Sequence, residues 1–124
     1  MGNKAFINDK NLVEIKMENE IKYYKLVNFF ISIAALSNSL DASKKDILIL
    51  VDLSEAISLE GMAKGLITTM FSISIFDRLA FFGANDILNK DMLDVAKNAN
   101  RADKVKGFKT REETEEWLLS HKIR

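Results

Sequence analysis

The stretch from Asp46 to Phe71, DILILVDLSEAISLEGMAKGLITTMF, limits the folds open to this chain more than any other. Ile47 to Val51 is an unbroken apolar run, the pattern of a central strand covered on both faces. Asp46 and Asp52 bracket it. From Leu59 the period changes, and Leu59, Met62, Ala63, Leu66, Ile67, Met70 and Phe71 fall on one face of a helix. A buried strand, a short acidic turn and an amphipathic helix make one α/β unit. In such units ligands and partners meet the fold beyond the carboxyl end of the strand. The spacing therefore predicts a turn from Asp52 to Glu60, with Ser58 at the start of the helix.

The rest of the chain repeats this change of period. Lys4 to Asn8 reads as a short strand, turned by Asp9-Lys10-Asn11, residue types that favour tight turns. Val13, Ile15 and Met17 then alternate with Glu14, Lys16 and Glu18, giving a strand with one wet face and hence an antiparallel hairpin. Arg78 to Gly83 is another apolar strand, and Gly83 permits a sharp exit. Asn85 or Asp86 caps the next helix, whose inner face is Leu88, Met92, Val95, Ala96 and Ala99. Lys104 to Phe108 is a short edge strand. Thr110 and Glu113 form a capping box that opens a last helix burying Trp117 and Leu118. The order β-β-α-β-α-β-α-β-α implies an α/β fold: a mostly parallel, mixed five-stranded sheet covered by helices on right-handed crossovers. No linker or repeat divides the 124 residues, so one domain spanning 1–124 is expected.

The helix from Lys22 to Leu40 departs from the usual pattern. Tyr23, Val27, Phe30, Ile31 and Ala34 make one apolar stripe, and Leu26, Phe29, Ile33, Leu36 and Leu40 make a second beside it. Only a narrow wedge of Lys25, Asn28, Ser32 and Ser39 is polar, whereas a helix on a sheet normally shows polar residues over its outer side. Either neighbouring helices cover the second stripe, or Leu26, Phe29, Ile33 and Leu36 form an outer contact surface for a homodimer or a lipid-like ligand.

Composition excludes several chemistries. Lys plus Arg equals Asp plus Glu at 18 each, so no global field draws the chain to nucleic acid or a membrane surface. Without Cys there are no disulfides, thiolate metal sites or Cys nucleophiles. His121 is the only histidine; it reads as a partner of the last helix's dipole, and no metal set or triad forms around it. No glycine-rich phosphate loop is present. The pairs Glu112-Glu113 and Glu115-Glu116 read as exposed solubilising charge. No catalytic residue, metal ligand or cofactor site is therefore expected. The N-terminus MGNKAFINDK lacks an apolar signal region and the myristoylation pattern, and the apolar window from Val27 to Leu36 is too short for a membrane span. A cytoplasmic location follows as the expectation.

The element order, together with ILILVDLSEAIS, RLAFFG and the ending KVKGFKTREETEEWL, resembles the SpoIIAA-like group of the STAS superfamily, whose founding members are bacterial anti-sigma-factor antagonists. The resemblance spans nearly the whole chain. It implies a small non-enzymatic domain that works by docking. In the antagonists a serine at the start of the helix after the central strand is phosphorylated, within an Asp-Ser-Ser-Gly motif. The matching stretch here is Ser58-Leu59-Glu60-Gly61, which keeps the glycine and places Ser58 on the motif's Asp.

Two readings of Ser58 stand side by side: an N-cap for the following helix, or a phosphoacceptor whose phosphate the helix amides would favour and Glu55 and Glu60 oppose. Ser54 is the second phosphoacceptor candidate, or a turn residue. Asp52 either closes a local Asx-type turn or contacts a ligand. Gly61 and Gly65 lie on one flank of the helix. Each costs up to about 1 kcal/mol there relative to Ala, which points to close approach by the sheet, a neighbouring helix or a partner. Lys97, Arg101, Lys104, Lys106, Lys109 and Arg111 form a basic run, a solvated rim or an anionic-surface site. With Phe108 as its only aromatic residue, it lacks the stacking platform of single-strand binding. The docking surface expected is the Asp52, Ser54, Glu55, Ser58 and Gly61 region, with the outer stripe of the first helix. Binding of an apolar, lipid-like small molecule between that helix and its neighbours is the alternative.

Overall fold

The computed structural model describes residues 3–120. Its elements run β1 (Lys4–Ile7), β2 (Val13–Ile21), α1 (Tyr23–Ala42), β3 (Leu48–Leu59), α2 (Gly61–Ile73), β4 (Arg78–Phe82), α3 (Asp86–Asn98), β5 (Val105–Phe108) and α4 (Arg111–Leu119). The order is the one expected, an α/β fold on a five-stranded sheet. Along the sheet the strands lie in chain order, β1-β2-β3-β4-β5. β1 is antiparallel to β2, and every later pair is parallel.

That topology decides where the helices go. A sheet that grows in one direction puts all its right-handed crossovers on one face, and α1, α2 and α3 share one core. Ile15, Ile49, Val51, Leu79, Phe81 and Val105 meet Leu26, Ile67, Leu88 and Val95 there. α4 follows the last strand and covers the opposite face alone, where Leu12, Leu48, Leu50, Ala80 and Phe82 surround Leu118. The alternation Ile49/Leu50/Val51 and Leu79/Ala80/Phe81/Phe82 sends side chains to the two faces in turn, as a pleated strand must. Trp117, expected inside, is only half-buried, resting on Phe108 and under the Arg78 guanidinium.

Local signals fix the ends. Asn8 turns the hairpin, its Oδ1 accepting from the amides of Lys10 and Leu12 at 2.9 and 3.1 Å. Asn85 caps α3, accepting from the Leu88 amide at 2.9 Å. Thr110 caps α4 by accepting from the Glu113 amide, and its hydroxyl donates to the Glu113 carboxylate. Glu115, on the inner flank of α4 and not solvated as expected, bonds Lys10 at 3.0 Å. Arg111 grips Glu14 of β2 through both carboxylate oxygens at 3.1 and 2.6 Å, tying α4 to the wet face of the hairpin.

Candidate functional site

β3 differs from the strand read in the sequence in one decisive way. It does not end at Val51 but continues to Leu59, so the turn expected from Asp52 to Glu60 is a strand. β2 is correspondingly longer, running to Ile21. Pairing between them continues past Asp52 as Glu18 with Glu55, Asn19 with Ala56, Glu20 with Ser58 and Ile21 with Leu59. Two register shifts fall in this half, each inserting an extra residue in β3. They break the alternation that would have marked a strand. Leu53 and Ala56 point inward, while Ser54, Glu55 and Ile57 stand exposed.

On its other side β3 pairs with β4 only from Leu48 to Asp52. Beyond that, β4 turns away at Gly83, which has φ +80° and sits so close to Ser54 that an added Cβ would lie 2.9 Å from its Cα. The sharp exit expected of Gly83 is thus present. Asn85, besides capping α3, donates from Nδ2 to the Ile57 carbonyl at 2.8 Å, holding the β4–α3 connection against the projecting strand. Around this end three large apolar side chains face solvent: Ile57 at 64%, Met62 at 67% and Ile87 at 75% exposure.

The polar groups at this end are bonded among themselves. Asp52 Oδ1 accepts from the Ser54 amide at 2.9 Å and its hydroxyl at 2.6 Å, the local Asx-type arrangement. Glu55 pairs with the Lys16 ammonium, and that hydrogen bond raises the lysine pKa above its ordinary value. Glu60 precedes α2 without capping it; its Oε1 instead accepts from the Tyr23 amide at 3.0 Å, at the start of α1. A carboxylate there complements the helix dipole. Nothing local in the sequence could have paired Glu60 with a residue 37 positions away.

No protein-family model matches the chain, and no curated protein matches it in sequence. Solved structures do match. An uncharacterised protein of the DUF3478 family with a SpoIIAA-like fold, from Shewanella loihica PV-4, superposes with a TM-score of 0.66 at 18% identity, over 94% of each chain. The anti-sigma factor antagonist SpoIIAA in its unphosphorylated form superposes with a TM-score of 0.63 at 10% identity, over 98% of this chain and 100% of its own. The chain has a SpoIIAA-like fold.

Within that SpoIIAA-like frame the expected site residues are rearranged. Asp52, Ser54, Glu55, Ser58 and Gly61 do gather at the carboxyl end of the sheet. Ser58, however, is not an N-cap: it lies half-buried in β3 opposite Glu20, and Glu60 occupies the cap position. Gly61 and Gly65 are exposed, and a Cβ added to either would meet nothing within 4 Å, so close packing within the chain does not explain them.

The stripe Leu26, Phe29, Ile33 and Leu36 is not an outer surface either. Leu26 is fully buried and the other three pack against the main core. The exposed apolar side of α1 is instead Tyr23, Tyr24, Val27 and Ile31. Both stripes were legible as apolar; which one faced the sheet depended on the helix's rotation about its axis.

The basic run is dispersed. Arg101 donates to the Ser72 carbonyl, Lys106 lies over Phe108, and Arg111 is engaged with Glu14. His121 lies outside the described residues. Among the described residues no group of three or more His, Cys, Asp or Glu side chains could hold a metal ion, and no helix is long and apolar enough to cross a membrane.

Proposed function

We propose that this chain is a non-enzymatic regulatory module that acts by protein contact, docking a partner at the end of the sheet where β3 outruns β4. The observation that carries this reading is the projecting half of β3, unpaired by β4 beyond Asp52 and ringed by exposed Ile57, Met62 and Ile87. Exposed apolar groups set among polar ones suit a protein interface. Of the carboxylates nearby, Asp52, Glu55 and Glu60 are already engaged with Ser54, Lys16 and Tyr23. The likeness in fold to an anti-sigma factor antagonist supports the same reading. In it the protein is one cytoplasmic domain spanning 1–124 and needs no cofactor.

Contact without a phosphate switch fits this end best. A phosphate on Ser54 would face Asp52 and Glu55, and one on Ser58 would enter a paired strand opposite Glu20.

The test is affinity capture from cells of the source organism with wild-type protein and with an Ile57→Lys/Ile87→Lys variant. Both side chains are exposed, so each change should move stability by less than about 0.5 kcal/mol. A protein retained by the wild type and lost by the folded variant supports the docking end. Equal recovery by both overturns it.

A further inference from the structure

We propose that the cavity between α1 and the C-terminal end of α2 binds an uncharged, mostly apolar molecule of about ten heavy atoms with one hydrogen-bonding group. This site goes beyond the docking role and does not depend on it. The cavity holds about 250 Å³. Its floor is the sheet, at Ile15, Ile49 and Leu79, and its walls include Phe30 of α1 and Phe71 of α2. Ile15, Ile49, Phe71, Phe76 and Leu79 are buried in its lining, so the cleft is concave and mostly apolar, the kind of surface that takes small ligands.

The structure also shows why it does not collapse. Phe71 and Phe76 pack edge to face with centroids 5.7 Å apart and an interplanar angle of 64°, bracing one wall. α1 is anchored on the core at both ends of its inner stripe by buried Leu26 and Leu40. Ile73 and Ile75 line the cavity and are also exposed, so it opens to solvent between them and α1.

Size and chemistry select the ligand. An apolar cavity of about 150 Å³ holds benzene, and in proportion this one takes roughly ten heavy atoms. No charged residue lines it, so a carboxylate would lose its hydration without a compensating partner. Ser37, Asn38 and Ser74 are the polar residues of the lining, and Ser37 is the buried one. It is 8% exposed, lines the cavity, and its hydroxyl has no hydrogen-bond partner among the described residues. A ligand hydroxyl or carbonyl would bond it in place of solvent.

The test is titration of the ¹⁵N-labelled full chain with 1-nonanol and, separately, with nonanoate at neutral pH. The expected result is saturable shifts from 1-nonanol at the amides of Ile33, Ser37, Ile49 and Phe71, with at least tenfold weaker binding of nonanoate. Ala34→Trp, which fills the cavity from α1, should abolish the shifts. Ser37→Ala, a milder change that keeps the fold, should weaken 1-nonanol several-fold. Absence of saturable shifts in the wild type, equal binding of nonanoate, or unaltered binding by Ser37→Ala overturns the proposal. Ile57→Lys should bind 1-nonanol as the wild type does, which separates this site from the docking end.

Discussion

The two halves of β3 differ in sequence and in surroundings: residues 48–52 are apolar up to Asp52, whereas Ser54, Glu55 and Ser58 interrupt residues 53–59. From Leu48 to Asp52 the strand has β2 on one side and β4 on the other, with helices over both faces. Over residues 53–59 it keeps only β2 as a strand neighbour, is shifted twice in register, and turns Ile57 to solvent. The first half is determined by burial on all sides. The second is held by one ladder, by side-chain bonds from Asn85 to Ile57, Lys16 to Glu55 and Ser54 to Asp52, and by an inward-facing Leu53 and Ala56. If the outer half is the docking end proposed above, stability and contact occupy consecutive stretches of one strand, and substitutions in them should separate cleanly.

The largest effect tests that separation directly. Leu50 is fully buried beneath α4, and Leu50→Ala should destabilise the protein by about 2–5 kcal/mol in a urea titration. Ile57→Ala in the outer half should change stability by less than about 0.5 kcal/mol. Comparable losses at both positions would show that the projecting half is as tightly determined as the centre. Gly83 marks the boundary between the halves. Gly83→Ala meets a positive φ and the Ser54 backbone together, and a loss of about 1–3 kcal/mol is expected in the same titration. A neutral result would mean that β3 and the β4 exit can part without cost.

The boundary was also where the sequence stopped being legible. Continuous apolar runs, caps and turn residues identified every element and its order, because burial on both faces and hydrogen bonding at helix ends are local in sequence. Asn85, Thr110 and Gly83 act as their residue types suggest. The outer half of β3 was not legible because two inserted residues destroy its period of two, leaving Ser54-Glu55 to look like a turn. Ser58 was misplaced for the same reason. The rotation of α1 is set by what it packs on, so two equal apolar stripes could not be ranked from spacing alone. Glu60 bonding Tyr23 is a tertiary contact with no sequence signature.

A smaller effect lies on the covered half, where Glu14 pairs in register with Leu50 and carries the Arg111 clamp. The Arg111 hydrogen bonds, against partial burial and with help from Asn8, hold the Glu14 carboxyl below its ordinary value of 4.5. A carboxyl lowered on folding stabilises the native state fully above its unfolded pKa. That contribution fades as the pH falls through the lowered folded value. Glu14→Gln should therefore cost about 1 kcal/mol at pH 7, and the gap to wild type should shrink toward pH 3. The check is thermal melting of both proteins across that range. A gap that stays constant would assign the loss to packing, not to the ion pair.

The smallest effect has the opposite sign and sharpens where contact ends. Gly65 lies on the outer flank of α2, on the side away from buried Ala63 and Ile67, with open space where a Cβ would be. Replacing glycine by alanine at such a position narrows the unfolded ensemble and favours helix, so Gly65→Ala should stabilise by about 0.5–1 kcal/mol. If docking is confined to the end of β3, the more stable variant captures the same partner equally well. Loss of capture together with a raised melting temperature would extend the contact surface along α2, since nothing inside the protein requires that residue to be small.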